Sequence, residues 1–455
     1  MSYEELAAFV AATAQDQGIP GVAVGILADG RESRITHGVT SAEHPLPVDG
    51  RTLFHLASVS KTFTATALMR LAAQGRVDPA APVRRYVPAL RLADEEATAR
   101  ITVLQLLNHT AGLDWNLVDA DEGDGSLEAF VAGLGRLPLV APPGARASYS
   151  QAGYNLLGRV IENVTGLPFE KAVAELLLDP LGLHDTVFDL DDVVVRRFAV
   201  GHNPTADGTL APARPWKSWR AGTRGNNPGG GVVSSVSDLL RWARFQLGDG
   251  EGLLPAGTLG RMRQPTVELR GSTLGDAFGI CWFVRDVGGV RAVGHGGSGN
   301  GQFAELLLVP EHDFAVVSLA NAGPGGYLFN QAVLKRALEL YLGVTEREPE
   351  PLPHDEERAR EVAGRYEIDA MNLDIVATEG RLTLAVEIKP EIRAASDAEM
   401  PPDHPAAAIG FLAGAEDEYV VTEGGLKGQR GFFSRAADGR ITGVDLAGRL
   451  FPRGA

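Results

Sequence analysis

Cysteine is nearly absent from this chain: one residue in 455, Cys281, inside the apolar run FGICWFV. That excludes an intrachain disulfide and a multi-cysteine metal cage, and the expectation is a buried core thiol. Lysine is almost as scarce. Of 42 basic residues only six are lysine, at positions 61, 171, 217, 335, 389 and 427. Basic charge as a whole is outnumbered by 58 acidic residues, for a formal net charge of -16. General nucleic-acid binding needs a basic face and docking on an anionic membrane needs a polybasic one, so neither partner is expected. No apolar stretch approaches the ~20 residues that cross a bilayer. The N-terminus MSYEELAAFVAATAQ carries two glutamates and no basic residue before Arg31, unlike a secretory signal, and the expectation is a cytoplasmic protein.

What is present reads as globular: 44% hydrophobic and 22% charged residues, in a chain long enough for two or three folding units. Residues 3–17 have helical spacing, with Leu6, Phe9 and Val10 on one side. GVAVGIL, ADGR and SRITHGV read as a β-hairpin, because Asp-Gly favours tight turns. A helix is expected over 59–74, with Phe63, Ala67 and Leu71 on one face and Gly75 as its stop. Helical spacing recurs at 101–113, 153–166, 234–248 and 328–342, the third capped by Ser235 or Ser237. Strands are expected at GICWFVRDV, VRAVGHGG, QFAELLLVP and FAVVSLAN. Strands at both ends of the region around a helical middle predict an α+β domain over 1–345, one antiparallel sheet flanked by helices. The Pro/Glu-rich stretch 346–356 reads as a linker. Short alternating strands over 357–455 predict a small all-β barrel or sandwich.

Lys61 stands one helical turn after Ser58, and residues at i and i+3 share a helix face about 5–6 Å apart. A serine hydroxyl is a weak nucleophile until a base takes its proton. A buried amine can be that base, whereas a guanidinium stays protonated. This is a chemical reason for lysine in an arginine-rich chain; the plain alternative is a surface lysine beside a helix cap. Two other stretches stand out: YSQ, with Tyr149 just before a helix, and GHGGSG, with His295 and Gly297 at the end of a strand. GHGGSG also fits G-x-G-x-x-G, but a strand follows instead of the helix that phosphate binding needs. His109 and His202 are isolated and suit loop or core positions better than metal ligation.

Ser58-x-x-Lys61, Tyr149-x-Gln151 and His295-x-Gly297, in this order, resemble the motifs S-x-x-K, Y-x-N and K/H-x-G. These belong to the serine hydrolases related to penicillin-binding proteins and class C β-lactamases. LLNHTAGL (106–113), LLDPLGLHDTVF (177–188) and GGGVVSSVSDLLRWARF (229–245) are similar to blocks of the same family, and the likeness spans about residues 5–345. The resemblance implies a β-lactamase/transpeptidase-like fold and acyl transfer without cofactor or metal. It implies Ser58 as nucleophile, Lys61 as the base, and Tyr149 as general acid/base with its phenol pKa lowered by the lysine. His295 would fill the basic position of the third motif. The N–H groups of Ser58 and Ser298 would form the oxyanion hole, and Gly297 would let substrate lie close. Gln151 departs from the family's asparagine and is expected to hold Lys61 or a substrate amide.

The implied activity is hydrolysis of an amide, peptide or ester, with a D-configured acyl residue in some relatives. A peptide-cyclising transacylase, a β-lactamase and, in another class, a non-catalytic binding or sensor module are the alternatives. The partner is a small-molecule or peptide substrate. Trp115, Trp216 and Trp219 suit either local packing or an aromatic wall around that substrate, and Arg224, Asn226 and Asn227 are within sequence reach of the site. The C-terminal unit resembles the lipocalin-like domains of D-aminopeptidase-type enzymes and of peptide-cyclising thioesterases, through VAGRYEI and GRITGVDLAGRLFPR.

Overall fold

The computed structural model describes the chain except residues 1, 118–125, 206, 214–223, 324, 347, 396–402, 415–416 and 455. Its first unit is built on an eight-stranded sheet. The strands are β1 (Gly21–Ala28), β2 (Arg31–Gly38), β3 (Val267–Glu268), β4 (Ala277–Phe278), β5 (Phe283–Val287), β6 (Val290–Gly299), β7 (Gln302–Val309) and β8 (Phe314–Ala320). Their order is β2-β1-β8-β7-β6-β5-β4-β3, antiparallel throughout, so the two ends of the region meet where β1 pairs with β8. Both faces are covered. Val22, Val24 and Ile26 of β1 join a core with α1 (Ser2–Asp16) and a helix at Gly325–Leu342. Ala23 and Leu27, pointing the other way, join the core of the helical region.

The helix after Ser58, α2 (Ser60–Ala73), is buried nearly all round over its first three turns, not along one face. Its threonines permit this because each hydroxyl finds a backbone acceptor: Thr62 bonds Val59 O, Thr64 bonds Pro228 O and Thr66 bonds Thr62 O. α3 (Gln151–Thr165) packs beside it, capped by Ser150 and ended by Gly166 in the left-handed region. α4 (Val236–Leu247) starts at Ser235, whose hydroxyl accepts from Asp238 N–H. Two expected elements differ. The helical pattern at 101–113 yields only Val103–Leu107, and His109 then takes a φ of 61°. The apolar run at 279–282 is a tight turn and not the start of a strand, with Cys281 buried at a φ of 74°.

The second unit is an eight-stranded antiparallel barrel: β9 (Gly364–Glu367), β10 (Met371–Thr378), β11 (Arg381–Ile388), β12 (His404–Phe411), β13 (Glu418–Val421), β14 (Arg430–Arg435), β15 (Ile441–Leu446) and β16 (Arg449–Pro452). The strands pair in chain order, and a bridge from Tyr366 to Arg453 closes the ring. Tyr366, Phe411, Tyr419 and Phe433 fill the interior, and Ala359 and Val362 of the helix Glu356–Val362 close the core. The stretch expected as a linker lies along the barrel: Leu352 N–H donates to Phe411 O, and Pro351 bridges to Leu412.

Candidate active site

Ser58 lies in a single 3-10 turn, Ala57–Val59, that runs directly into α2. Ala57 has a φ of 45°, a region that a Cβ disfavours. Strained backbone of this kind gathers at functional sites. Gly297 of β6 lies against the turn: a Cβ there would stand 2.1 Å from Leu56 O and 2.9 Å from Ser58 N. A side chain would push the strand away from the serine. β5 pairs with β6 only as far as Gly294, whereas β7 pairs to Gly299. Ser298, next to Gly297, is exposed at this end of the strand.

Lys61 is fully buried. Its Nζ is 3.1 Å from Ser58 Oγ and 2.7 Å from Gly229 O, and it also bonds Gln151 Oε1. Burial drives its pKa well below the usual lysine value. A Cys281 thiolate would oppose this, but burial pushes that thiol up to about 12, so the thiolate is not formed near neutral pH. The positive charge of Arg449 lowers Lys61 further. The favoured form is therefore the neutral amine, with two N–H donors and one lone pair. Gly229 O and Gln151 Oε1 can only accept, so they take the two N–H groups, and the lone pair is left facing the Ser58 hydroxyl.

Tyr149 is buried with its ring 4.4 Å from that of His109 and 6.1 Å from that of His295, centroid to centroid. Lys61 Nζ is 5.0 Å from its ring centre. The phenol oxygen is shut off from solvent without a formed hydrogen bond. Burial raises its pKa, and the nearby Ser58 hydroxyl and Arg449 offset this only in part. The lowering expected from Lys61 is absent because a neutral amine brings no charge. His295 is also uncharged: burial above all holds its pKa down to about 3. Its Nδ1 lies 2.8 Å from Gly296 O, which can only accept, so Nδ1 carries the proton and Nε2, buried and unpartnered, is an acceptor. The third motif thus supplies no cation.

A cation arrives from the barrel instead. β15 and β16 are joined by a two-residue turn, Ala447–Gly448, with φ of 51° and 72°. The turn docks on the tyrosine segment: Tyr149 N–H donates to Gly448 O at 2.7 Å, and Leu450 N–H donates to Ser148 Oγ at 3.3 Å. Arg449 follows, its guanidinium 5.1 Å from the Tyr149 ring centre and 5.8 Å from that of Trp115. The residue keeps part of its surface open, but its Nε is buried with no hydrogen-bond partner. Sequence reasoning missed Arg449. The only signal was the hairpin turn beside it, which says nothing about what the tip touches.

The remaining candidates separate. Gln151 is turned inward: Oε1 takes Lys61 and Nε2 donates to Asn226 Oδ1 at 2.9 Å. Arg224 and Asn227 both bond Glu170, the former through Nε at 3.0 Å and the latter at 2.7 Å, so of the three residues before the glycine run only Asn226 reaches the site. Trp115 packs against the barrel core, and its carbonyl accepts the N–H groups of Gln151 and Ala152. Trp216 and Trp219 lie outside the described residues. His202 is a buried structural residue, bonded to Ala42 N–H and Asn321 O.

An antiparallel sheet flanked by helices, with a serine and lysine at the head of a buried helix, defines the class of serine β-lactamases and penicillin-binding proteins. The family model described as Beta-lactamase matches residues 6–338, and the chain belongs to that family of serine hydrolases. Penicillin-binding protein 4 of Amycolatopsis lactamdurans is 30% identical over 363 residues, 77% of this chain and 93% of that protein. The crystal structure of SurE, solved alone and with D-Leu, is 26% identical with a TM-score of 0.75, covering 100% of this chain and 99% of that one. An octameric penicillin-binding protein homologue from Pyrococcus abyssi has the same fold, with 23% identity and a TM-score of 0.68 over 99% of both chains. Among the described residues, no helix is long and apolar enough to cross a membrane.

Proposed function

We propose that the protein forms an acyl-enzyme on Ser58 and acts on peptides or amides at a group bearing a free carboxylate. The observation that carries this reading is the placing of buried Lys61, whose Nζ lies 3.1 Å from Ser58 Oγ while Gly229 O and Gln151 Oε1 accept from it. Lys61 takes the hydroxyl proton as Ser58 Oγ attacks the substrate carbonyl. The N–H groups of Ser58 and Ser298 hold the resulting oxyanion, with Gly297 keeping strand and turn close. Tyr149, kept protonated by burial, gives its proton to the leaving amine and then accepts one from the incoming nucleophile, and Lys61 returns its proton to Ser58 Oγ as the acyl group departs. His295 Nε2 is a neutral acceptor beside it.

Arg449 supplies the positive charge that the third motif lacks. Standing over the Tyr149 ring, it belongs to the side where the leaving group departs and the acceptor enters. A guanidinium with an unpartnered Nε in that place suits a carboxylate. The leading form is hydrolysis that releases a C-terminal amino acid, with a D-configured acyl residue preferred by family likeness. Transfer of the acyl group to an amine is the second reading. It is favoured by the similarity to SurE, which was crystallised with D-Leu, an amino acid with a free carboxylate. A non-catalytic binding module is less well supported, since Gln151, the departure that suggested it, still bonds Lys61.

The test is mass spectrometry after a fluorophosphonate, followed by turnover of peptides with free or amidated C-termini, D- and L-residue amides, p-nitrophenyl esters and nitrocefin. An adduct on Ser58, absent from Ser58→Ala, and preference for the free carboxylate are expected. An unlabelled Ser58, with no turnover of any ester or peptide, would sink the reading.

A further inference from the structure

Asn226 closes a ring of hydrogen bonds around the Gly229 peptide. Lys61 donates to Gln151 Oε1, and Gln151 Nε2 donates to Asn226 Oδ1 at 2.9 Å. Asn155 Nδ2 donates to the same oxygen at 3.1 Å. Asn155 Oδ1 accepts from Gly229 N–H at 3.2 Å, and Gly229 O accepts from Lys61 at 2.7 Å. Every direction in the ring is forced. Asn226 Oδ1 can only accept, so Gln151 presents its nitrogen to Asn226 and its oxygen to Lys61. Gly229 N–H can only donate, so Asn155 must present its oxygen there and its nitrogen to Asn226. Both amide nitrogens therefore converge on one oxygen, that of Asn226.

The rest of the loop keeps that oxygen in place. Arg224 and Asn227, on either side, are tied to Glu170, and the Asn226 side chain makes no helix-capping bond that would compete. The titratable groups around Lys61 are Tyr149, Tyr154, Cys281, His109, His295 and Arg449. Burial holds the tyrosines, the thiol and the histidines in their neutral forms near neutral pH. Arg449 is the charge that acts on the amine.

We propose that Asn226 is a positioning residue: as a double acceptor it fixes the orientation of the Gln151 amide and so the direction in which Lys61 faces Ser58, and being neutral it adds no charge that would favour the ammonium form. This rests on the acyl-enzyme reading above. An aspartate has the same shape and accepts the same two N–H groups, but it places a negative charge one carboxamide away from the amine. A nearby opposite charge favours the ammonium form, so the base is silenced at low pH although the ring persists. An alanine removes the acceptor and leaves Gln151 free to turn.

The experiment is the pH dependence of fluorophosphonate labelling at Ser58 in the full chain, for the wild type, Asn226→Asp and Asn226→Ala. The rate rises with pH as Lys61 loses its proton, so the acid limb reports that group. Asn226→Asp is expected to move the limb upward by about one pH unit or more, a tenfold loss on its acid side, with the alkaline plateau largely kept. Asn226→Ala is expected to lower the plateau about tenfold without that upward shift. An Asp variant whose profile superimposes on the wild type, or an Ala variant that labels at the wild-type rate, overturns the proposal. A wild-type protein that takes no label on Ser58 instead overturns the acyl-enzyme reading itself.

Discussion

Gln151 occupies the space that a side chain on residue 229 would need. A Cβ built on Gly229 stands 2.1 Å from Gln151 Nε2, 2.5 Å from its Cδ and 2.8 Å from Oε1. The extra methylene that distinguishes glutamine from the family's asparagine is thus accommodated by a glycine on the facing segment. Gly229→Ala is expected to displace the amide from Lys61 and slow Ser58 labelling by ~10²-fold, the scale of a misplacement of about 1 Å. Gln151→Asn, which draws the amide back, should restore in the double variant much of the rate that Gly229→Ala loses, and should bring no such gain when Gly229 is kept. Labelling rates for the four proteins of that cycle check this; additive losses would refute it.

Arg449→Met keeps the aliphatic stem and removes the charge. KM for peptides with a free C-terminal carboxylate should rise by ~10²-fold, the scale of losing a charge-assisted bond. Turnover of neutral p-nitrophenyl esters should change little. Removing a cation that lowers Lys61 should also move the acid limb upward. Steady-state kinetics on free and amidated versions of one peptide make the comparison.

Arg146 and Asp445 join the two units, with Arg146 Nη2 3.4 Å from Asp445 Oδ2 and its Nη1 2.8 Å from Ser434 Oγ. Burial raises the Asp445 carboxyl to about 7, and Arg146 is the largest influence holding it down. An acid whose folded pKa is raised contributes most in its protonated form, and that contribution is lost as pH rises from about 4 through 7. Arg146→Ala leaves the carboxylate buried alone, at a cost on the order of 3 kcal/mol when it is ionised. The melting temperature of Arg146→Ala should therefore fall well below wild type at pH 8 and only slightly at pH 5. Equal losses at both would exclude the pairing as the cause.

Three buried histidines set the opposite trend. The pKa is lowered to about 4 for His55 and about 3 for His295, and well below the usual value for His109, in each case chiefly by burial. Between these values and about 6.5 the unfolded chain binds more protons, so stability present above pH 6.5 is lost as pH falls through the folded values. For His55 alone the loss is on the order of 3 kcal/mol. Thermal melts should show a steep fall from pH 6.5 to 4, and His55→Asn should flatten that slope whatever it does to the melting temperature at pH 8.

The residues that meet at the candidate site were legible because each motif is short and its residue types have few substitutes: Ser58 with Lys61, Tyr149 with Gln151, His295 with Gly297. The sheet built from both chain ends and the C-terminal barrel were legible from hairpin turns and alternation. Three things were not. The run FGICWFV conceals a turn, because a cysteine at a φ of 74° is indistinguishable in sequence from a strand cysteine. The charge states of Tyr149 and His295 follow from burial, which spacing does not report. Arg449 is one of many arginines at the far end of the chain, and only the docking of the barrel brings it to Tyr149.

That docking divides the site between two pieces of architecture. Lys61, Ser58 and the edge of β6 belong to the sheet-and-helix unit, whereas the guanidinium comes from the tip of a barrel hairpin whose backbone grips Tyr149. If the proposed roles hold, acylation and terminal-group selection rest on different units of the chain. On the proposed roles, replacing the hairpin tip 446–450 with one of equal length should change which end of a molecule is chosen, and because Arg449 also lowers Lys61 the acid limb of labelling should move with it. On the proposed reading, the last hundred residues carry the choice of terminal group, and variation at that hairpin tip is where new specificities are expected.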